Sequence, residues 1–407
     1  MRAFPSRKKV KGGVTAPKGF YAAGIHAGIK SAPSLDLALL TSEREGPIAG
    51  VFTQNQVQAA SVTLNKRQLK NKTGQAIIIN SGNANACTGA QGLANAKEVR
   101  KLTAHHLGLP SRLIYGGSTG VIGRSLPMPA LRLGIPKVIA QLHRQNHTKA
   151  AEAIMTTDTT LKEIACQAKI GGQVVTIGGM AKGSGMIHPN MATMLAYLTT
   201  DAVIAPQALQ RSLTQAVDQT FNCISVDGDS STNDTVLCLA NGLANNSRIT
   251  YGTRDWKAFH SLLNTVCESL ALQICQDGEG ATKLVTILVE GTKTKGAAKQ
   301  IAQTIATSML VKTALFGEDP NWGRIVAAIG RAGVPLNPIY ITVKFDGVVV
   351  VREGQRVSAQ ADNHAQKVMR KKEFTVSVSV GKGTGFHRMW TTDLSYDYVK
   401  INASYTT

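Results

Sequence analysis

With 407 residues the chain is too long for one ordinary core, so a single large α/β unit or two closely packed domains are expected. Hydrophobic residues at 43%, charged residues at 17% and 39 glycines point to a glycine-punctuated globular protein rather than a disordered or membrane chain. The net charge of +20 suits acidic small molecules; aromatics at 5% and scattered basic residues argue against nucleic acid as a partner.

No apolar run reaches the length of a membrane span, and the first twenty residues lack the apolar stretch of a secretory signal. A cytoplasmic protein with no membrane partner is the expectation. The six cysteines form no C-x-x-C pair and are read as structural thiols.

In chain order, the first clear strand is Gln75 to Asn80. A helix follows from about Ala90 to Leu107, with Leu93, Val99, Leu102, Thr103 and His106 near one face. Leu113 to Tyr115 is a short strand running into Gly116-Gly-Ser118-Thr-Gly120. That run fits the G-x-S-x-G of a nucleophile elbow, which would make Ser118 a nucleophile. An elbow needs a helix directly after its serine, whereas Gly123, Pro127 and Pro129 stand there, so a tight turn exposing backbone N–H groups is the competing reading.

Ile164 to Ile170 and Gln173 to Ile177 read as a hairpin about Gly171-Gly172. The hairpin leads into a glycine-rich loop, Gly178-Gly-Met-Ala-Lys182-Gly-Ser-Gly185-Met-Ile-His188-Pro-Asn190-Met-Ala192-Thr193, which runs into an apolar strand. Pro206 opens a helix with Leu209, Leu213, Val217 and Phe221 at four-residue spacing, and Trp256, Phe259, Leu263, Val266, Leu270 and Ile274 mark another. Later strands are Lys283 to Val289, Arg324 to Ile329, Ile339 to Phe345 paired through Asp346-Gly347 with Val348 to Val351, and Glu373 to Val380.

The acidic run Asp227-Gly-Asp229-Ser-Ser-Thr-Asn-Asp234 misses the glycine and glutamate that a calcium loop needs, and no H-E-x-x-H exists. No metal is expected.

The loop 178–195 resembles the self-cleavage region of the glutamate N-acetyltransferase family, also called ornithine acetyltransferases. Further blocks resemble that family in the same order: Gly13 to Phe20, Asn80 to Asn85, Ala153 to Thr159, Ser225 to Asp234, Asp277 to Lys283, Asp319 to Arg324 and Tyr398 to Ala403. Two runs depart from it. Cys223 stands where the family has a basic residue, and Gly385-Phe-His-Arg-Met389 is unusual before Trp390.

The resemblance implies a layered αββα-type sandwich, N-terminal-nucleophile-like, with an additional smaller α/β region. It implies cleavage at Ala192-Thr193, giving fragments 1–192 and 193–407 that stay associated, two of each in a heterotetramer. Thr193 is then the nucleophile, Thr119 and the Gly120 N–H are the oxyanion donors, and Thr156, Lys182, Thr193, Glu279, Asn402 and Thr407 contact substrate. N-acetylornithine and glutamate are the implied substrates, with acetyl-CoA a further donor and no cofactor.

The chemistry asks for such residues. A threonine hydroxyl needs a base within reach, and cleavage would create one in the freed α-amine, whose ordinary pKa is roughly 7.7–8.0. Lys182 suits a substrate carboxylate, Glu279 an amine, and Asn402 and Thr407 neutral polar groups. Glycines on both sides of Ser184 ease close backbone approach. A self-processing amidohydrolase or aminopeptidase with the same threonine, and a Ser118 hydrolase, remain the alternatives.

Overall fold

The computed structural model describes residues 7–188 and 194–404. Its first sheet has the strands Lys8–Val10, Lys162–Ile170, Gln173–Lys182, Leu195–Thr200, Thr235–Ala240, Leu37–Phe52, Thr73–Asn83 and Ile114–Val121 in that spatial order. Phe20–Ile25 pairs with Leu37–Phe52 off this path. Leu37–Phe52 is the longest strand, and its register breaks between Thr41 and Gly46. Its first half pairs with Thr73–Asn83, and its second half with Thr235–Ala240.

That irregular strand lets the sheet double over into two facing layers. Between them lies one core in which Met180, Leu195, Tyr197, Leu237 and Leu239 of one layer meet Leu40, Ile77, Ile79 and Tyr115 of the other. The layers approach so closely that a β-carbon on Gly117 would stand 1.9 Å from the Tyr197 hydroxyl oxygen. Outside one layer, helices Pro206–Gln219 and Arg254–Gln276 cover alternate residues such as Ile177, Leu198, Val236 and Cys238. Outside the other, helices Gly89–Leu107 and Met128–Ala140 cover Leu39, Ala76, Ile78 and Ile114. The order of layers is helix, sheet, sheet, helix, as expected. Each large apolar side chain of Arg254–Gln276 that is fully buried contributes about 1.5–3 kcal/mol.

The smaller α/β region is a second sheet with the strands Gln355–Arg356, Val348–Arg352, Thr342–Phe345, Glu373–Ser379, Leu284–Thr292, Gly385–Thr392 and Ile224–Ser225 in that order. Its own core joins Val285, Ile287, Phe345 and Val376 to Ile301 and Ile305 of helix Lys295–Ala306 and to Ile325 and Ile329. Trp390 and Leu284 belong instead to the core beneath Arg254–Gln276, which welds the two regions together. Among the described residues no helix is long and apolar enough to cross a membrane.

Several elements differ from the sequence reading. Arg324 to Ile329 is not a strand but lies within helix Trp322–Gly330, whose start is capped by the Asn321 side chain; the short apolar run Ile325 to Ile329 alone does not separate the two periods. The buried stripe of Gly89–Leu107 runs through Asn95, Ala96, Arg100, Thr103 and Ala104, leaving His106 exposed. Phe221 stands past the end of Pro206–Gln219 in a short 3-10 turn. Gly178 to Lys182 is not loop but the end of a strand, so the irregular segment begins at Gly183. Five cysteines are buried and Cys87 is exposed.

Candidate active site

The G-x-S-x-G run is neither an elbow nor a tight turn; it forms the body of strand Ile114–Val121, parallel to Thr73–Asn83. Ser118 is buried there and donates its hydroxyl to Asn80 Oδ1 at 2.7 Å, with no histidine in that contact. Its carbonyl accepts from Asn233 Nδ2 at 2.7 Å. The strand's far end supplies Thr119, buried, and Gly120, in register with Ser81 and Gly82. Gly120 has φ +128, and a β-carbon there would come within 2.4 Å of the Gly82 carbonyl carbon. Only glycine fits that backbone, which turns the strand end into the wall of a cleft.

The same cleft is lined by Thr156, Lys182, Gly185, Asp227, Glu279 and Asn402. Six residues singled out from sequence therefore converge: Thr119, Gly120, Thr156, Lys182, Glu279 and Asn402. Ala192 and Thr193 lie outside the described residues, as does Thr407. Lys182, on the cleft, pairs in register with Leu195, the first residue of the next strand.

Lys182 comes from the last position of strand Gln173–Lys182 and is buried. Its ammonium donates to Thr156 Oγ1 at 2.6 Å and lies 3.7 Å from Asp158 Oδ2. Burial holds its pKa below the ordinary lysine value, opposed by the Asp158 charge. Burial alone would raise the Asp158 carboxyl, but Lys182, Lys162 and the Gly183 N–H outweigh it and hold the group below the usual carboxylate range. Lys162, wholly buried, joins Asp158 at 2.7 Å and Asp277 at 2.5 Å. Asp277 in turn accepts from the Thr159 and Thr160 N–H groups, and its carbonyl takes the Ser184 hydroxyl at 2.6 Å. One ionic cluster thus fixes the turn 156–160, the start of the segment after Lys182 and the approach to Glu279.

Glu279 follows helix Arg254–Gln276; its N–H donates to the Ser184 carbonyl at 3.0 Å. Its carboxylate closes over Gly185, where a β-carbon would meet Oε2 at 2.2 Å. Asn402 of helix Tyr396–Ser404, exposed on its other side, donates to Glu279 Oε2 at 2.9 Å.

Among the lining residues not assigned from sequence, Asp227, Tyr398 and Asn233 hold the cleft together. Asp227 accepts the Met186 N–H and, at 2.8 Å, the Ile187 N–H; burial raises its pKa to about 6. Tyr398 joins Asp227 through its hydroxyl. Asn233 ties the Ala84 and Ser118 carbonyls together, each at 2.7 Å. The signal for the first and third was the polar run 227–234, dense in groups that bind backbone, but it carried no indication of which groups they hold. Next to them Asp234 is wholly buried, its Oδ1 accepting the Met194 N–H at 3.1 Å. Burial raises that carboxyl well above its ordinary pKa.

The two departures from the family pattern meet each other. Cys223 Sγ lies 3.9 Å from His387 Nε2, both buried, away from the residues lining the cleft. Burial raises the thiol to about 11 and, with the Lys299 and Lys295 charges, lowers the imidazole to about 4, so both are neutral near pH 7. The contact is an uncharged packing pair between the end of Pro206–Gln219 and the second sheet.

A lysine and a glutamate on one small cleft suit a molecule bearing both carboxylate and amine, while the turn at Thr119-Gly120 offers donors for a carbonyl oxygen. The class so defined is an enzyme of acyl chemistry on amino acids. Residues 21–407 match the profile of the ArgJ family. The arginine biosynthesis bifunctional protein ArgJ of a Synechococcus strain is 48% identical over 98% of this chain and 99% of its own. That of Symbiobacterium thermophilum is 48% identical over 97% and 99%. An ornithine acetyltransferase from Mycobacterium tuberculosis, solved with ornithine, is 39% identical over 46% of this chain and 98% of the solved chain, with a TM-score of 0.42. This chain belongs to the ArgJ family.

Proposed function

We propose that the chain transfers acetyl from N-acetylornithine to glutamate, releasing ornithine and N-acetylglutamate, and that Thr193 carries the acetyl group between them. The observation supporting this most is the convergence of Lys182, Glu279, Thr156 and the Thr119-Gly120 strand end on one cleft, with Lys182 paired to Leu195 two positions after Thr193 in sequence. Family membership along nearly the whole chain gives the same reaction.

Maturation comes first. The Thr193 hydroxyl adds to the Ala192 carbonyl, the peptide C–N bond breaks as the nitrogen takes a proton, and water opens the resulting ester. The products are fragments 1–192 and 193–407, the second beginning with a free amine. In the transfer cycle that amine accepts the hydroxyl proton as Thr193 attacks the acetyl carbonyl. The oxyanion is held by Thr119 and the Gly120 N–H, donors whose removal typically costs on the order of a hundred- to a thousandfold in rate. Ornithine leaves with the proton, and the amine of glutamate then attacks the acetyl ester.

Lys182 holds the substrate carboxylate, and Thr156, in hydrogen bond with it, sets its position. Glu279, oriented by Asn402, holds the side-chain ammonium of ornithine. Thr407 completes the set from the C-terminus. Acetyl-CoA serves as a second acetyl donor, no cofactor takes part, and the fragments pair as a heterotetramer in the cytoplasm.

Denaturing mass spectrometry of the purified wild-type chain and of Thr193→Ala tests the reading. Two wild-type fragments, starting at Met1 and Thr193, and an uncut, inactive variant are expected. An uncut but active wild type would overturn it. Acetate release without transfer to glutamate would support the amidohydrolase instead.

A further inference from the structure

Helices Ala60–Gln68 and Gly89–Leu107 lie side by side, and together with the turn Ser111–Leu113 they border an open surface pocket of about 320 Å³ that shares no residue with the cleft. On the second helix Lys97, Arg100 and Lys101 stand at i, i+3 and i+4, the spacing that puts all three on one face. Arg67 of the first helix and Arg112 of the turn face them, so five cations line one pocket alongside Gln68, Asn71 and Ser111.

The acidic groups nearby do not balance them. Glu45 reaches the exposed Arg112 at 3.5 Å, and Glu98, on the same helix, turns away to Arg132 at 2.7 Å. No aspartate or glutamate lines the pocket. Like charges three and four residues apart weaken a helix, so this arrangement has a standing cost in the empty protein.

Arg100 makes the case sharper. It is 6% exposed, yet among the described residues its guanidinium has only neutral partners: Gln68 Oε1 at 2.8 Å, Asn65 Oδ1 at 2.6 Å and the Ser61 carbonyl at 3.5 Å. A buried charge is normally paired with an opposite one. Those bonds take both Nη2 hydrogens and one on Nη1, and leave the Nε–H and one Nη1 N–H of the fork unused, charged donors that phosphate oxygens accept. Arg67 and Arg112 offer two more such forks at the rim.

We infer that this pocket binds a small polyanion bearing phosphate groups, with Arg100 as its buried counter-charge and Arg67, Lys97, Lys101 and Arg112 around it. Inorganic diphosphate and the diphosphate of a nucleotide share the required chemistry.

Isothermal titration calorimetry of the full wild-type protein at low ionic strength, with inorganic pyrophosphate and with ADP in separate runs, tests this. A saturable site, one per chain, is expected, with affinity falling at least tenfold in the exposed-residue variant Arg67→Gln/Lys101→Gln while acetyl transfer is unchanged. Tighter pyrophosphate binding assigns the pocket to bare phosphates; tighter ADP binding assigns it to a nucleotide. Arg100→Gln extends the test, but the rim variant carries it because buried Arg100 also braces the fold. Absence of saturable binding to either ligand, or equal affinity in wild type and rim variant, would overturn the inference.

Discussion

Replacing Lys162 by methionine keeps most of the stem's volume and deletes the ammonium that joins Asp158 to Asp277. All three groups are almost wholly buried, with 0%, 0% and 4% of their side chains exposed. Removing one member of a buried ion pair typically costs about 3–5 kcal/mol, because the remaining charge stays desolvated and unpaired. Here two carboxylates lose the same partner, which places the expected loss at the upper end of that range. At a urea slope of roughly 3 kcal/mol per molar the unfolding midpoint should fall by about 1–2 M. The sign of the pH dependence follows from Asp158, whose folded pKa lies below its unfolded value. Such a group adds stability that is present above the unfolded pKa and is lost as pH falls through the folded one. Without Lys162 the burial of the Asp158 carboxyl is opposed by fewer charges and its pKa moves up; protonation at low pH can then only relieve the variant, so its deficit should be fully present at pH 7 and no wider at pH 4.5. Substrate binding should weaken too, because Asp158 also holds the Gly183 N–H at 2.7 Å and faces Lys182. Urea titrations of both proteins at the two pH values decide the matter. A deficit under about 1 kcal/mol at pH 7, or one that widens at pH 4.5, would refute the reasoning, since either would mean that the cluster is not a desolvated ion pair.

Gly120→Ala should lower the acetyl-transfer rate by about a hundred- to a thousandfold through displacement of the strand end, with fold retained by circular dichroism; near-normal turnover would remove the turn from the chemistry. Asp227→Asn should gain on the wild type as pH rises from 4.5 to 7 in thermal melts. The folded pKa of about 6 exceeds the unfolded value, so the wild-type carboxyl favours folding less as pH rises through that window, by about 1–3 kcal/mol; parallel curves would contradict it. Ser118→Ala should keep transfer activity and lose about 1 kcal/mol of stability with its bond to Asn80. An inactive but folded Ser118→Ala protein would return the serine-hydrolase alternative.

Much of the architecture was legible because its elements have a single period. The four-residue spacing of Leu209, Leu213 and Val217, and the long stripe from Trp256 to Ile274, admit only helices. The turns at 171–172 and 346–347 have positive φ throughout, as two-residue hairpin turns require. Arg324 to Ile329 misled because its five consecutive apolar residues hide the period in the sequence; in the structure only Ile325, Ala328 and Ile329 are buried, at helical spacing behind the Asn321 cap. Gly116 to Gly120 misled for a related reason. Its glycines suggested a turn, but they serve close packing of two sheets, as the contact of Gly117 with Tyr197 makes plain.

At the site, the residues reached through family blocks came together from five separate stretches of chain. The supporting residues did not emerge, because what Asp227, Asn233 and Lys162 hold is decided by tertiary contact. Lys162 reads as an ordinary strand lysine until Asp277, 115 residues away, is seen against it. The encounter of Cys223 with His387 across 164 residues was equally invisible, although each had stood out alone.

The whole transfer cycle turns on acetyl riding on Thr193. Wild-type protein mixed with N-acetylornithine in the absence of glutamate, quenched in acid and mapped by peptide mass spectrometry, tests it directly. One acetyl group is expected on the peptide that begins at Thr193, discharged when glutamate is added before the quench. Acetyl found on Ser118, or an unmodified Thr193 peptide in protein that still turns over, would contradict it.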